Sequence, residues 1–307
     1  MALFKIDGND NLINIKEQPF KLEKEIQNLT EKNLNSIFDL EFVKTEFSIN
    51  SFRIDTLAFD KEAGTFVIIE YKRDKNFSVI DQGYAYLSLM LNNKADFILE
   101  YNENAKGTLK RNDVDWSQSR VVFISPSFTT YQKEAINFKD LPIELWEIKR
   151  YDNHTVNFNQ IKTSGAQESV KTISRQDKTI ENVTKEIKVF TESDHLKNGN
   201  PEIQELYEKV KESIINLDDN ISTQAKKQTI GFKIDNNIFC DIVVLAKSLK
   251  LYLNLKSGDL KDEKNITRDV SNVGHWGNGS YEIKMKDTED LEYILSLIKQ
   301  SIRMNKK

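Results

Sequence analysis

Cysteine is almost missing from this chain of 307 residues: the single copy, Cys240, lies in an apolar stretch and cannot close an internal disulfide. That fits a reducing compartment and a thiol buried as a small hydrophobe. Histidine is nearly as scarce, at three copies, and His154 and His195 stand alone, as surface residues do and metal ligands do not. The longest apolar runs, Phe66 to Ile69 and Ile242 to Ala246, fall far short of the ~20 residues a membrane-spanning helix needs. Residues 1 to 20 lack the basic-then-apolar pattern of a secretory signal, so a cytoplasmic protein with no membrane partner is expected. Positive charge is not in excess either. Lysine and arginine number 44 against 48 aspartates and glutamates, a net charge of -4. Such a balance excludes non-specific coating of nucleic acid. It leaves room for a carboxylate-built metal site beside a local basic groove.

What the chain does have is apolar surface: 38% hydrophobic residues with 10% aromatics, enough for two modest cores. Leu22, Ile26, Leu29, Ile37 and Phe38 share the helical spacing of a first helix within residues 20 to 38. Strand-like runs follow at Phe42 to Ile49, Phe52 to Phe59 and Phe66 to Tyr71, and the turn at residues 61 to 64 makes them an antiparallel meander. A helix is expected over Val79 to Leu91, strands over Asp96 to Tyr101, Arg120 to Ser125 and Ile143 to Tyr151, and a covering helix over Phe128 to Phe138. Residues 161 to 200 turn polar, as a linker or a surface-exposed helix does, and we place the boundary there between a first domain, 1 to 160, and a second, 201 to 307. The second domain reads as α+β. It has a helix over Pro201 to Leu217, strands over Thr229 to Ile234, Phe239 to Ala246, Leu249 to Leu255 and Tyr281 to Met285, and a closing helix over Thr288 to Arg303.

The sharpest local feature is Asp55 in the run from Arg53 to Phe59, followed fifteen residues later by Glu70, Tyr71 and Lys72, each on an expected strand. Residues two apart on a strand share a face, so Glu70 and Lys72 project together, and hairpin pairing brings Asp55 alongside. Two carboxylates and an ammonium then converge. Two hard oxygen ligands suit Mg²⁺, the Tyr71 carbonyl is a further candidate ligand, and an ammonium steadies negative charge on a phosphate. Burial in an apolar strand favours a purposeful site, because unpaired buried charge is costly.

In order and spacing these residues resemble the PD-(D/E)xK nuclease superfamily, over roughly residues 20 to 102. The Glu70-Tyr71-Lys72-Arg73 string with Asp81-Gln82-Gly83-Tyr84 downstream looks most like its NucS-like, DUF91-type branch. The resemblance implies a restriction-endonuclease-like α/β fold, a mixed sheet flanked by helices. It implies Asp55, Glu70, Lys72 and Gln82 as catalytic residues, with Gln82 orienting the lysine or a water. It also implies one glutamate from the leading helix, for which Glu23, Glu25 and Glu31 compete and Glu25 is favoured. The implied cofactor is Mg²⁺ or Mn²⁺, held by Asp55, Glu70 and Tyr71.

Arg73 and Lys75, and Lys110 and Arg111 in a loop that opens at Lys106, are candidate contacts to phosphates. Tyr84, Tyr86 and Trp146 read as core aromatics. In the second domain Val273 to Gly279 forms a glycine-rich loop with His275 and Trp276, which reads either as a tight loop whose Trp caps the core or as a surface for close backbone approach and stacking. That domain resembles one found in proteins labelled predicted transport proteins, and we assign it substrate selection or dimerisation. The resulting expectation is a metal-dependent DNA endonuclease, in restriction of foreign DNA, defence or repair. A homodimer is expected if both strands are cut. The competing expectation is a non-catalytic nucleic-acid-binding or oligomerisation protein that keeps the fold.

Overall fold

The structure, a computed structural model, describes residues 3–73, 77–105, 107–162, 168–170 and 177–306. It divides into two compact units, Met1–Val189 and Phe190–Lys307. Among the described residues no helix is long and apolar enough to cross a membrane.

The first unit opens with a hairpin, β1 (Leu3–Ile6) and β2 (Leu12–Ile15), followed by α1 (Glu23–Glu31) and α2 (Leu34–Phe38). Then come β3 (Glu41–Ile49), β4 (Phe52–Asp60), β5 (Thr65–Tyr71), α3 (Val79–Asn92) and α4 (Lys94–Asn104). The unit closes with β6 (Arg120–Ser125), α5 (Thr130–Ala135), β7 (Ile143–Arg150), β8 (Val156–Ile161) and α6 (Lys178–Glu186). Its main sheet runs β3-β4-β5-β6-β7-β8. The meander β3-β4-β5 is antiparallel, β5-β6-β7 are parallel, and β8 returns antiparallel. This is the expected mixed sheet with helices on both faces.

All seven residues of β5 are buried, and its alternation assigns them to two cores. Phe66 and Ile68 pack with Leu87 and Met90 of α3 and Phe97 and Tyr101 of α4. Val67, Ile69 and Tyr71 pack on the other face with Ile26 of α1 and Leu34 of α2. Glu70 therefore shares the face of Phe66 and Ile68, under α3.

The second unit holds α7 (Glu192–Leu196), α8 (Pro201–Ile215), β9 (Ser222–Ala225), β10 (Ile230–Ile234), β11 (Asn237–Leu245) and β12 (Ser248–Leu253). It ends with β13 (Arg268–Asp269), β14 (Tyr281–Met285) and α9 (Leu291–Asn305). Its sheet, β13-β14-β12-β11-β10-β9, is antiparallel throughout, and α8 and α9 share its core. Pro201 opens α8, where a missing N–H costs nothing, and the Asn200 side chain caps it by accepting from Ile203 N.

Four expectations needed correction. His195 is buried, with its Nε2 2.6 Å from the Lys226 carbonyl, and is not a surface residue. Residues 96 to 101 form α4 and not a strand, because Phe97 and Tyr101, four apart, are its buried residues. The single helix over 20 to 38 is two, separated at Lys32 and Asn33. The segment 161 to 200 carries α6 and α7 within its described residues; Ile180 and Val183 of α6 are buried in the first unit's core. Two apolar residues at helical spacing suffice to anchor a helix whose composition is otherwise polar.

Candidate active site

The β4–β5 ladder stops at the pair Thr56–Ile69. One residue further on, the Asp55 side chain replaces the missing backbone acceptor: the Tyr71 backbone N–H donates to Asp55 Oδ2 at 3.0 Å. The fork between the two strands thus holds a carboxylate at its mouth. From the α1 side, Gln27 Nε2 donates to the Asp55 carbonyl at 2.9 Å, which fixes the strand at that point.

Glu70 is 4% exposed. Its Oε1 accepts from Lys72 Nζ at 2.8 Å and from Gln82 Nε2 at 3.0 Å. Its Oε2 is buried with no hydrogen-bond partner among the described residues. Gln82 reaches Glu70 because α3 lies close on the sheet at Gly83, where a Cβ would come within 2.4 Å of Ile143 Cδ1. One turn along α3, the Tyr86 hydroxyl accepts from the same Gln82 amide at 3.2 Å and lies beside Glu70.

Burial pushes the Asp55 carboxyl above its ordinary range, against the opposing pull of the Tyr71 N–H and of Lys72. Burial also raises Glu70, and the Asp55 charge raises it further. The Asp55 charge disfavours ionisation of Glu70, whose buried Oε2 lacks a partner among the described residues, so the pocket is short of positive charge. Among the described residues no three His, Cys, Asp or Glu side chains gather as a metal cage. The two carboxylates are hard oxygen donors of the kind Mg²⁺ takes while it keeps several waters.

The structure brings together Asp55, Glu70, Lys72, Gln82 and the Tyr71 backbone. It does not bring Glu25, which instead pairs with Arg150 at 3.2 Å. Glu31 takes the Thr56 hydroxyl at 2.6 Å and the Gln27 amide at 3.0 Å. Glu23 is the helix glutamate that bears on Asp55, and its Oε1 accepts the Arg73 backbone N–H at 2.8 Å. The reason is angular: Glu23, Gln27 and Glu31 recur every four residues on one face of α1, whereas Glu25 is turned about 200° from Glu23. That spacing was available in the sequence. Tyr86 was read as core alone; its ring is buried, but its hydroxyl belongs to the site.

Arg73 holds the approach to α1, its Nη1 donating to the Lys21 carbonyl at 2.7 Å. Lys75 and Lys106 lie outside the described residues. Lys110 and Arg111 sit by the β4–β5 turn, where Asp115 N donates to the Gly64 carbonyl at 2.7 Å. That is the opposite end of β5 from Glu70, roughly 20 Å away at strand rise. Arg111 lines a groove there with Lys94, Ala95, Ile98 and Trp116.

The chain is therefore a two-unit protein whose first unit carries a carboxylate–lysine pocket at the carboxyl ends of β5 and β6. It is 54% identical over 292 residues to a protein of Haemophilus influenzae (strain ATCC 51907 / DSM 11121 / KW20 / Rd) described as an uncharacterized protein, covering 95% of this chain and 96% of that one. The chain belongs to the family of that Haemophilus protein. Residues 192–305 match the family described as Domain of unknown function (DUF5655). Among solved structures, a repair endonuclease from Pyrococcus abyssi is similar at 20% identity and TM-score 0.25, over 43% of this chain and 49% of that one. An EndoMS–dsDNA complex is similar at 16% identity and TM-score 0.27, over 48% of this chain and 65% of that one. The chain spans about half to two thirds of the length of these structures.

Proposed function

We propose that the first unit is a divalent-metal-dependent nuclease that hydrolyses phosphodiester bonds in DNA. The observation that carries this reading is the meeting of Asp55, Glu70 and Lys72 in one buried pocket, in which Glu70 Oε2 has no hydrogen-bond partner among the described residues. The Asp55 and Glu70 carboxylates, with the Tyr71 carbonyl, would hold Mg²⁺ or Mn²⁺. Such an ion supplies Lewis-acid stabilisation of the phosphate and a water more readily deprotonated.

The chain's own residues do the rest. Lys72 keeps its ammonium 2.8 Å from Glu70 Oε1, placed to stabilise negative charge developing on a bound phosphate. Gln82 fixes the Glu70 rotamer from α3, and Tyr86 fixes Gln82, so the carboxylate is held in one orientation before substrate arrives. Glu23 ties the segment after Lys72 to α1 through the Arg73 N–H.

The test is incubation of purified protein with plasmid and single-stranded DNA in Mg²⁺ or Mn²⁺ against EDTA. Wild type cleaves only with metal, and Lys72→Ala and Glu70→Gln lose cleavage. Equal cleavage by wild type and Lys72→Ala removes the mechanism. Inactivity of wild type on every DNA form removes the nuclease.

A further inference from the structure

Tyr131 is the most exposed large apolar or aromatic side chain among the described residues, at 88%. Its position ties it to the pocket. The strands β5 and β6 run parallel, and Lys72 N donates to the Ile124 carbonyl at 2.9 Å just before β6 ends. Four residues past that end, Thr129 and Gln132 close a reciprocal capping box that starts α5. Gln132 then turns inward, and its Nε2 donates to the Phe77 carbonyl at 3.1 Å. The Phe77 ring lies 5.7 Å from Lys72 Nζ. Tyr131 thus stands on a helix fastened to the same strand ends that present Lys72, where open α/β sheets take their ligands.

Its surroundings say what it suits. Gln132 is buried, while Tyr131 points to solvent, and its neighbours on α5, Thr130, Lys133 and Glu134, are polar. A protein partner would need a contiguous apolar patch, which a single ring among polar residues does not provide. A single ring on a fixed support, beside a pocket with Lys72, is a platform for one base of a polyanion.

We propose that Tyr131 is a nucleotide-contact residue, stacking on an unpaired base of the strand whose phosphate enters the Asp55–Glu70–Lys72 pocket. The inference rests on the nuclease reading for the location of that phosphate. It assigns unpaired bases, rather than intact duplex, to the stretch of substrate a few nucleotides from the cut.

The test uses oligonucleotides carrying one 2-aminopurine, either unpaired or within duplex, titrated with full-length protein in Ca²⁺ without Mg²⁺. Wild type and Tyr131→Phe quench the unpaired probe on binding, and Tyr131→Ala binds it on the order of tenfold more weakly without that quench. Duplex binding is the same for all three. Quenching by Tyr131→Ala equal to wild type overturns the proposal, as does failure of wild type to bind the unpaired probe. Cleavage in Mg²⁺ is scored separately: quench without cleavage removes the nuclease and leaves the stacking, whereas cleavage with an unaffected Tyr131→Ala does the reverse.

Discussion

The Asp55 carboxylate and the Tyr71 backbone N–H meet at 3.0 Å where their two strands part, so one side chain both ends a ladder and begins a site. Replacing Asp55 by alanine leaves a buried N–H without an acceptor, a cost of about 1–3 kcal/mol. Asp55→Asn retains an oxygen for that N–H and loses only the charge. We therefore expect Asp55→Ala to lose both stability and cleavage, and Asp55→Asn to lose cleavage while unfolding at or above the wild-type denaturant midpoint at neutral pH. Equal destabilisation of both variants would show that the hydrogen bond does not hold the fork.

In metal-free protein the Asp55 and Glu70 carboxyls are held above their ordinary range, chiefly by burial. A raised carboxyl binds its proton more tightly in the folded state than in the unfolded chain. The contribution of these two groups to stability therefore falls as pH rises from the ordinary carboxylate range, about pH 4, through their raised values, and the loss persists above them. Asp55→Asn should flatten that slope, by removing its own titration and the charge that raises Glu70. Adding Mg²⁺ at neutral pH should raise the Tm of wild type and leave Asp55→Asn nearly unmoved. Thermal melts in EDTA and in Mg²⁺ across this range check both; a stability difference, Asp55→Asn minus wild type, that shrinks as pH rises would contradict the assignment.

Gly83 sets the distance between α3 and the sheet, and a valine there must push Ile143 aside. The expected cost is about 1–3 kcal/mol of stability. Because Gln82 is the adjacent residue, cleavage should fall further than the unfolding midpoint alone accounts for. A variant with unaltered turnover would mean that Gln82 does not need its present reach.

In the second unit Asp241 is wholly buried and accepts from the Thr229 hydroxyl at 2.8 Å, Asn278 N at 2.8 Å and Asn278 Nδ2 at 2.9 Å. These bonds pin the loop that carries Trp276, which is 63% exposed. Asp241→Ala strips three donors of their acceptor and should destabilise the unit by about 1–3 kcal/mol. Trp276 fluorescence should shift as the loop loosens. An unchanged emission with a normal melting curve would show that other contacts hold it, such as the His275 ring stacked on Tyr252 at 5.3 Å.

Much of the first unit could be read along the chain because its signals are local. Alternation in β3, β4 and β5 gave the meander, and the two-residue step from Glu70 to Lys72 gave their shared face. Strands β10, β11, β12 and β14 of the second unit and its last helix were legible for the same reason, whereas the short edge strands β9 and β13 were not. Residues 97 to 101 were not, since an apolar run of that length suits a strand as well as a helix, and only packing against β3 chose the helix. Among the helix glutamates the sequence reading favours Glu25, but Glu23 is the one that bears on Asp55. The four-residue rhythm puts Glu23, Gln27 and Glu31 on one face, yet nothing local says which face of α1 meets the sheet.

By itself the sequence determined which residue types can meet on a strand: a carboxylate, then a carboxylate and an ammonium two positions apart, in a stretch too apolar to be solvated. Periodicity is enough for that, because it is a property of neighbours along the backbone. Only the tertiary structure decided that Glu23 and Tyr86 belong with them, that Glu25 turns to Arg150, and that Lys110 and Arg111 lie at the far end of β5. Those outcomes depend on how helices are rotated against the sheet and where loops return to it. Such choices are made by the whole core at once.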